Sequence, residues 1–270
     1  MGGTTRTASM MEWTTWRAQE GEWKDARACA MRMEGLHVRR ITRGTRQCAW
    51  RDDAYDARGK WKDEAKRKTR RMFARAVKQA IARRGTAAEE AHVLLLDAKG
   101  AKSARAVRAA CGMPLWNAFV PNVASPTVAE LRRRGVFAWL GDVKDILACW
   151  EDDWGCFEGV WLDYCGGISK RTQDVKHVFE RGVVARGGVL AMACSSQDSA
   201  LATQSDPIKP VEFSMRIVQE AASAHGYELI PALETSQGSG KYSTDLLEPA
   251  MGFPCLFRYR GIFFLMVGVA

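Results

Sequence analysis

Short apolar runs alternate with amphipathic segments along the chain from residue 92 onward. The runs lie at 92–98, 115–122, 136–142, 157–167, 187–195, 227–234 and 259–270. Segments with helical spacing or helix-start residues separate most of them, at 104–111, 125–134, 143–151, 170–181 and 210–225. Short apolar strands that alternate with helices are typical of a parallel sheet covered by helices on both faces. The pattern predicts an α/β fold with a seven-stranded, mostly parallel sheet.

The last two apolar runs have no helical pattern between them. A Gly/Ser-rich stretch at 236–245, SQGSGKYSTD, has the composition of a loop. Strands joined without a crossover helix pair in the antiparallel sense, so we expect an antiparallel strand at one edge of the sheet.

Cysteine spacing and hydropathy argue against a zinc protein and against a membrane-spanning protein. None of the eight cysteines forms a CxxC pair, and the four histidines are not spaced as ligands beside them, which argues against a zinc site. No run approaches the ~20 apolar residues that cross a bilayer. We expect an intracellular protein without a membrane span, whose thiols are reduced and mostly buried.

Positive charge is concentrated in the first third of the chain. Residues 1–90 hold 22 Lys/Arg and 12 Asp/Glu, a balance of +10, whereas the remaining 18 and 19 balance at −1. The densest segment, 60–84, also has apolar residues at helical spacing. It therefore fits either a solvated amphipathic helix or a helix that contacts nucleic acid with its basic face. Five tryptophans are interleaved through this third, at positions 13, 16, 23, 50 and 61.

The change in pattern predicts two parts of the chain. Residues 1–84 form a basic N-terminal extension, partly disordered, with a helix near 60–84, and residues 92–270 form the α/β domain. In open α/β sheets, ligands bind beyond the carboxyl ends of the strands. The polar residues that close the first four strands are therefore candidates for a ligand site: Asp97, Asn122, Asp142 and Asp163.

Three motifs resemble the class I S-adenosylmethionine-dependent methyltransferases, over about residues 92–270. ARGGVLAMACS (185–195) resembles the family's turn into strand five, FEGVWLDYCGG (157–167) its fourth motif, and LGD (140–142) the acidic position near adenine. The resemblance implies a Rossmann-like methyltransferase domain that binds S-adenosylmethionine. The cofactor-binding residues that it implies are Asp97, Gly100, Ser103, Asn122 and Asp142.

The first motif departs from the family pattern. Members of the family typically have an acidic residue followed by three alternating glycines, and DAKGAKS (97–103) supplies only Asp97, Gly100 and Ser103. Asn122 stands where an acid usually holds the ribose hydroxyls. These departures leave open a second interpretation, in which the scaffold binds nucleic acid without catalysis.

The resemblance implies that Asp163 and Tyr164 are catalytic. The carboxylate of Asp163 would orient or deprotonate the methyl-accepting atom. The ring of Tyr164 would stack on a base, and a core tyrosine fits the sequence equally well. Cys165 and Cys194 also resemble the cysteines of RNA 5-methylcytosine enzymes, although the spacing differs by one residue and buried cysteines are more often packing residues.

The sequence therefore favours a methyltransferase that acts on nucleic acid, RNA above DNA, through the basic first third. A non-catalytic nucleic-acid-binding protein and a methyltransferase for a protein or small molecule are the alternatives, because a fold alone does not choose among them.

Overall fold

A computed structural model describes residues 60–150, 155–164, 166–195, 197–202, 208–230, 256–259 and 262–270, without the side chains of 60–65 and 256–263. The predictions for residues 1–59 lie outside these described residues. All the described residues belong to one compact unit, 49–270.

Seven helices and eight strands follow one another in the described part of the chain. The helices are α1 (Lys60–Arg84), α2 (Lys102–Cys111), α3 (Ser125–Arg133), α4 (Val143–Ala148), α5 (Thr172–Glu180), α6 (Ser199–Ala202) and α7 (Pro210–Ala224). The strands are β1 (Val93–Leu95), β2 (Ala118–Asn122), β3 (Phe137–Leu140), β4 (Phe157–Asp163), β5 (Val184–Ser195), β6 (Leu229–Ile230), β7 (Leu256–Tyr259) and β8 (Ile262–Val269). None of the described helices is both long and apolar enough to cross a membrane.

The sheet has the strand order β3-β2-β1-β4-β5-β8-β6, and β7 pairs with β8 beside this path. Strands β1 to β5 are mutually parallel where they pair. Strand β8 is antiparallel to both β5 and β6. The predicted α/β class, with a mostly parallel sheet and helices on both faces, is thereby confirmed.

The antiparallel end of the sheet has more detail than the sequence predicted. Strand β8 lies one position in from the edge, between β5 and the two-residue strand β6. Its first half also pairs with β7, which adds an eighth strand. A long apolar strand such as β8 satisfies more backbone hydrogen bonds between two neighbours than it would at an edge.

Helix α1 packs directly on the sheet. Its side chains Phe73, Ala76, Val77 and Ala80 have no exposed surface, and they share one core cluster with residues of β1, β4, β5 and β8. The ring of Phe73 lies 5.1 Å, centroid to centroid, from that of Trp161 on β4. The helix that we predicted near 60–84 is therefore part of the folded unit, although the sequence assigned it to an extension.

Gly159 gives α1 its close approach to β4. A Cβ atom on this glycine would lie 2.5 Å from Cγ2 of Val77 and 2.9 Å from Cζ of Phe73. Any side chain at position 159 would therefore occupy space that the helix fills, and such overpacking destabilises a core.

The contacts at its two ends fix the direction of α1. Near its start, Lys66 lies beside Asp163 at the carboxyl end of β4. At its end, Arg84 lies 3.5 Å from the buried carboxylate of Glu158 and donates to the carbonyl of Arg186. Helix α1 thus runs antiparallel to β4, and its first turns reach the edge of the sheet where the parallel strands end.

Candidate functional site

The chain direction creates a crevice between β1 and β4. From β1 the chain continues to β2 and β3 on one side, and β4 and β5 then extend the sheet on the other side. The connections that leave β1 and β4 therefore diverge, and ligands in open α/β sheets bind at such a switch point. Asp97 follows β1, and Asp163 is the last residue of β4.

Asp97 closes the loop between β1 and α2. Its Oδ2 accepts hydrogen bonds from the backbone N–H of Ser103 at 2.7 Å and of Ala104 at 3.1 Å, and its Oδ1 accepts one from Ala98 at 3.0 Å. These donors include the first turn of α2, whose N–H groups have no partner within the helix. Ala101 completes the turn in the left-handed conformation, at φ 49°, where glycine is usual.

Burial raises the pKa of Asp97, while the backbone donors and the nearby Arg70 act in the opposite direction. The side chain is 9% exposed and both of its oxygens are occupied. This carboxylate shapes the loop, and its role in cofactor binding remains a prediction. Ser103 is also buried, so its contribution is the backbone N–H that it donates to Asp97.

Asp97→Asn is expected to lower the free energy of unfolding by about 1–3 kcal/mol, because a buried donor left without an acceptor costs about that much. In either orientation the amide NH2 group would face a backbone N–H of the loop. Urea unfolding measures the change. Glu220→Gln, an exposed carboxylate on α7, is the control and should change little. If stability is unchanged and cofactor affinity is lost, Asp97 contacts the cofactor directly.

Asn122 ties the end of β2 to the same loop. Its Nδ2 donates to the carbonyl of Asp97 at 3.3 Å, and its Oδ1 accepts from the N–H of Ala124 at 2.9 Å. The side chain is half-buried, with one amide hydrogen and one oxygen lone pair beyond these two bonds. The proposed contact to a ribose therefore remains a prediction, with Asn122 already positioned by the protein.

Asp142 begins α4 at the end of β3. Its Oδ1 accepts from the N–H of Lys144 at 3.1 Å and lies 3.7 Å from Nη1 of Arg171. The side chain is 30% exposed. Arg171 also lies 3.4 Å from Oδ2 of Asp174, so it joins the loops that follow β3 and β4. Asp142 keeps an accessible carboxylate at the carboxyl edge, as its predicted contact with the cofactor requires.

Asp163 points to the face of the sheet that α1 covers. Its Oδ2 lies 3.5 Å from Nζ of Lys66, and its side chain is 22% exposed. The pair is partly solvated, so the ammonium orients the carboxylate while leaving it accessible. Asp163 thus stands at the switch point with one oxygen toward α1, a geometry compatible with its predicted role.

Tyr164 lies in a buried, polar-lined environment. It follows Asp163 directly, and successive side chains of an extended strand point to opposite faces. Its hydroxyl donates to Oδ2 of Asp174 at 2.9 Å, and the guanidinium of Arg171 lies 4.9 Å from the ring centroid. Only 5% of the residue is exposed, and burial raises its pKa well above the ordinary value. Tyr164 is therefore packed as a core tyrosine, and its stacking on a base remains a prediction.

The cysteine alternative loses support in the same region. Cys194 is fully buried, and burial together with the nearby carboxylate of Asp163 raises its pKa. A thiol must ionise to act as a nucleophile, and this environment opposes ionisation. Cys165 lies outside the described residues.

Two residues of the site were missed in the sequence. Lys66 is 97 positions away from Asp163 along the chain. Arg171 was recognised only as part of the predicted helical segment 170–181. Helical spacing gives one signal for Lys66: it lies seven residues before Phe73, on the same face of α1. That face also carries the buried residues of the helix.

No protein-family model matches the sequence, and no curated protein matches it. Several solved structures resemble this chain at low sequence identity. Fibrillarin from Aeropyrum pernix with natively bound S-adenosyl-L-methionine is 15% identical, at a TM-score of 0.38 over 72% of this chain and 76% of its own. A putative rRNA-methylase from Clostridium thermocellum is 9% identical, at 0.39 over 66% and 86%.

A chain from the complex of the Haloferax volcanii Trm112 methyltransferase activator with a putative methyltransferase is 18% identical, at a TM-score of 0.41 over 78% of this chain and 94% of its own. Likenesses of this size assign neither a family nor a substrate to this chain. The strand order of the mostly parallel sheet is Rossmann-like.

The residues at the crevice fit S-adenosylmethionine in part. A Cβ atom on Gly100 would meet only the flexible side chain of Lys102, at 3.3 Å, so the backbone of the loop is open to a ligand at this point. Asp142 offers an accessible acceptor and Asn122 a further hydrogen-bonding capacity. Asp97 and Ser103 contribute by holding the loop in shape.

Proposed function

We propose that this chain is an S-adenosylmethionine-dependent methyltransferase that acts on nucleic acid, with RNA as the favoured substrate. The observation that carries the proposal is the partly exposed Asp163 at the switch point of the sheet, beside Lys66 of the basic helix α1. It supports a site where a carboxylate meets the substrate and basic side chains approach from the same side.

The proposal gives each residue a distinct role. Asp142 and Asn122 would hold the adenosine part of the cofactor, and the open backbone at Gly100 would lie against its amino-acid part. Asp163 orients or deprotonates the accepting nitrogen or oxygen, and Lys66 keeps that carboxylate in position. The cofactor, when bound, supplies the electrophilic methyl group.

Gly100→Val tests the cofactor site without disturbing the core. The atoms nearest to a Cβ at this position belong to the flexible side chain of Lys102, so we expect thermal stability close to that of the unmodified chain. Close approach of a ligand to the backbone would be blocked. We expect S-adenosylmethionine affinity to fall about tenfold or more, a loss of about 1.4 kcal/mol, measured by isothermal titration calorimetry.

Ala109→Val is the matched control, because it adds a similar side chain at an exposed position of α2. Its cofactor affinity should equal that of the unmodified chain. Equal affinity in Gly100→Val would remove the loop from the site. If the unmodified chain does not bind S-adenosylmethionine at all, a non-catalytic scaffold becomes the better explanation.

Charge supports the choice of nucleic acid as substrate. The described part of α1 from Lys66 to Arg84 contains nine Lys/Arg and no Asp/Glu. Neutralised phosphates release condensed counterions, so binding of RNA should weaken linearly in log affinity as log salt rises. A methyltransferase for a small molecule would show no such dependence on an RNA ligand.

A further inference from the structure

Cationic side chains cover the outer faces of two adjacent helices. On α1, Arg67, Arg71, Arg75 and Lys78 are exposed, and all four lie within one helical stripe about 17 Å long. On α2, Lys102, Arg105 and Arg108 are exposed. We call these seven side chains the two-helix basic face.

The two helices lie side by side on one face of the sheet. Both start near its carboxyl edge: Arg70 acts on the pKa of Asp97, and Lys102 begins α2 just after that loop. Further along, Lys78 acts on the pKa of Cys111 at the end of α2. Their buried sides, from Phe73 to Val107, belong to one core cluster. The exposed sides therefore form a continuous surface.

Acidic residues are absent from α1 after its first two turns, where Asp63 and Glu64 lie, and from the segment around α2. Neither 66–84 nor 98–116 contains an Asp or Glu. Among the described residues, no ion pair involves Arg71, Arg75 or Lys78. The neighbouring helix α3 differs, because its terminal arginines pair with its own Glu130.

The net charge of the C-terminal part gave no sign of this surface. Residues 91–270 balance at −1, so the sequence assigned all the basic character to the first third. Folding brings three cations of α2 beside four of α1, and no acid of the C-terminal part lies within α2. The result is a local field of one sign, which attracts polyanions and steers their approach.

We infer that the two-helix basic face binds the phosphate backbone of the nucleic acid substrate and leads it to Asp163. The inference rests on the proposed function and specifies where its substrate is held. Nucleic acid is favoured over other anions because the seven cations form an extended stripe that ends beside the carboxyl-edge crevice. Both helices contribute, so residues 1–59 are not the sole source of the affinity.

The test compares two charge-matched triple variants of the full chain. Arg71→Gln, Arg75→Gln and Lys78→Gln remove three cations of the basic face, and Lys176→Gln, Arg181→Gln and Arg216→Gln remove three exposed cations elsewhere. Glutamine keeps a helix propensity close to that of arginine or lysine, so folding should be retained. Thermal unfolding and calorimetry with S-adenosylmethionine check each variant.

Fluorescence anisotropy with a single-stranded 20-nucleotide RNA gives the affinity at several salt concentrations. The first triple should bind about 10- to 100-fold more weakly at low salt, and its slope of log affinity against log salt should fall by about 2, because each lost contact removes ~0.7. The second triple should keep both the affinity and the slope. Arg105→Gln with Arg108→Gln should lower the slope by about 1.4.

Each contrary result has a definite meaning. Equal losses in the two triples would show that net charge alone matters and would overturn the inference. No effect of the α2 pair would contradict a face built by both helices. Binding of the unmodified chain to phosphatidylserine vesicles but not to RNA would overturn it in favour of a membrane surface. Because cofactor binding is measured separately, loss of the basic face and loss of the methyltransferase proposal are distinguishable.

Discussion

Phe73→Ala is expected to lower the free energy of unfolding by about 3–5 kcal/mol, the usual cost of removing a buried phenylalanine side chain. Phe73 has no exposed surface and contacts Trp161 in the central strand β4. The loss would remove much of the net stability of a typical domain, which is about 5–15 kcal/mol. Chemical denaturation followed by circular dichroism measures it.

Arg75→Ala, two residues further along the same helix and exposed, is the control and should change stability by at most about 0.5 kcal/mol. The same packing bears on the predicted division of the chain into an extension, 1–84, and a domain, 92–270. We expect a chain that lacks residues 1–84 to unfold, since α1 covers the core on β4 and β5. A folded fragment that begins at residue 92, or equal effects of the two substitutions, would contradict the docking of α1.

Asp163→Asn is expected to reduce methyl transfer to RNA by about 10²–10⁴-fold, the typical contribution of a positioned acid or base. Affinity for S-adenosylmethionine should remain unchanged, because the carboxylate serves the acceptor. Single-turnover transfer of a radiolabelled methyl group measures the rate. Asp142→Asn provides the contrast: it should weaken cofactor affinity more than it lowers the rate.

Lys66 adds a finer test of the same site. Lys66→Met should lower the rate less than Asp163→Asn does, because it removes only the group that orients the carboxylate. Lys66→Arg should restore most of the rate, since a cation remains beside Asp163. A rate within a few-fold of the unmodified chain for Asp163→Asn would return this aspartate to a structural role.

The sequence predicted the strand ends well, because a parallel sheet brings the carboxyl ends of its strands to one edge. It did not predict how the side chains there are used. Asp97 was recognisable as the residue after an apolar run, but its engagement with the N–H groups of Ser103 and Ala104 depends on the fold of the loop. Tyr164 follows Asp163 in an extended segment, so the two side chains point to opposite faces of the sheet. The sequence does not say which of these faces a ligand would use.

The role of α1 shows a different limit. Helical spacing identified Phe73 and Val77 as one apolar face. Spacing says that a face is buried but does not say against what. The surface that this face covers comes from strands about 20 to 190 residues further along the chain. The pair of Lys66 with Asp163 depends on that docking, so helical spacing identified the face of Lys66 but not its partner.

Gly159 couples the packing of α1 on β4 to the position of Lys66 at the site. It lies four residues before Asp163 on β4, about 13 Å away at the usual rise of an extended strand. A larger side chain at 159 would push α1 away from the sheet at Phe73 and Val77. Because the helix is a stiff rod, that displacement would also draw Lys66 away from Asp163. A substitution at position 159 would then lower activity although it lies outside the site, and the loss would resemble a defect of Asp163 itself.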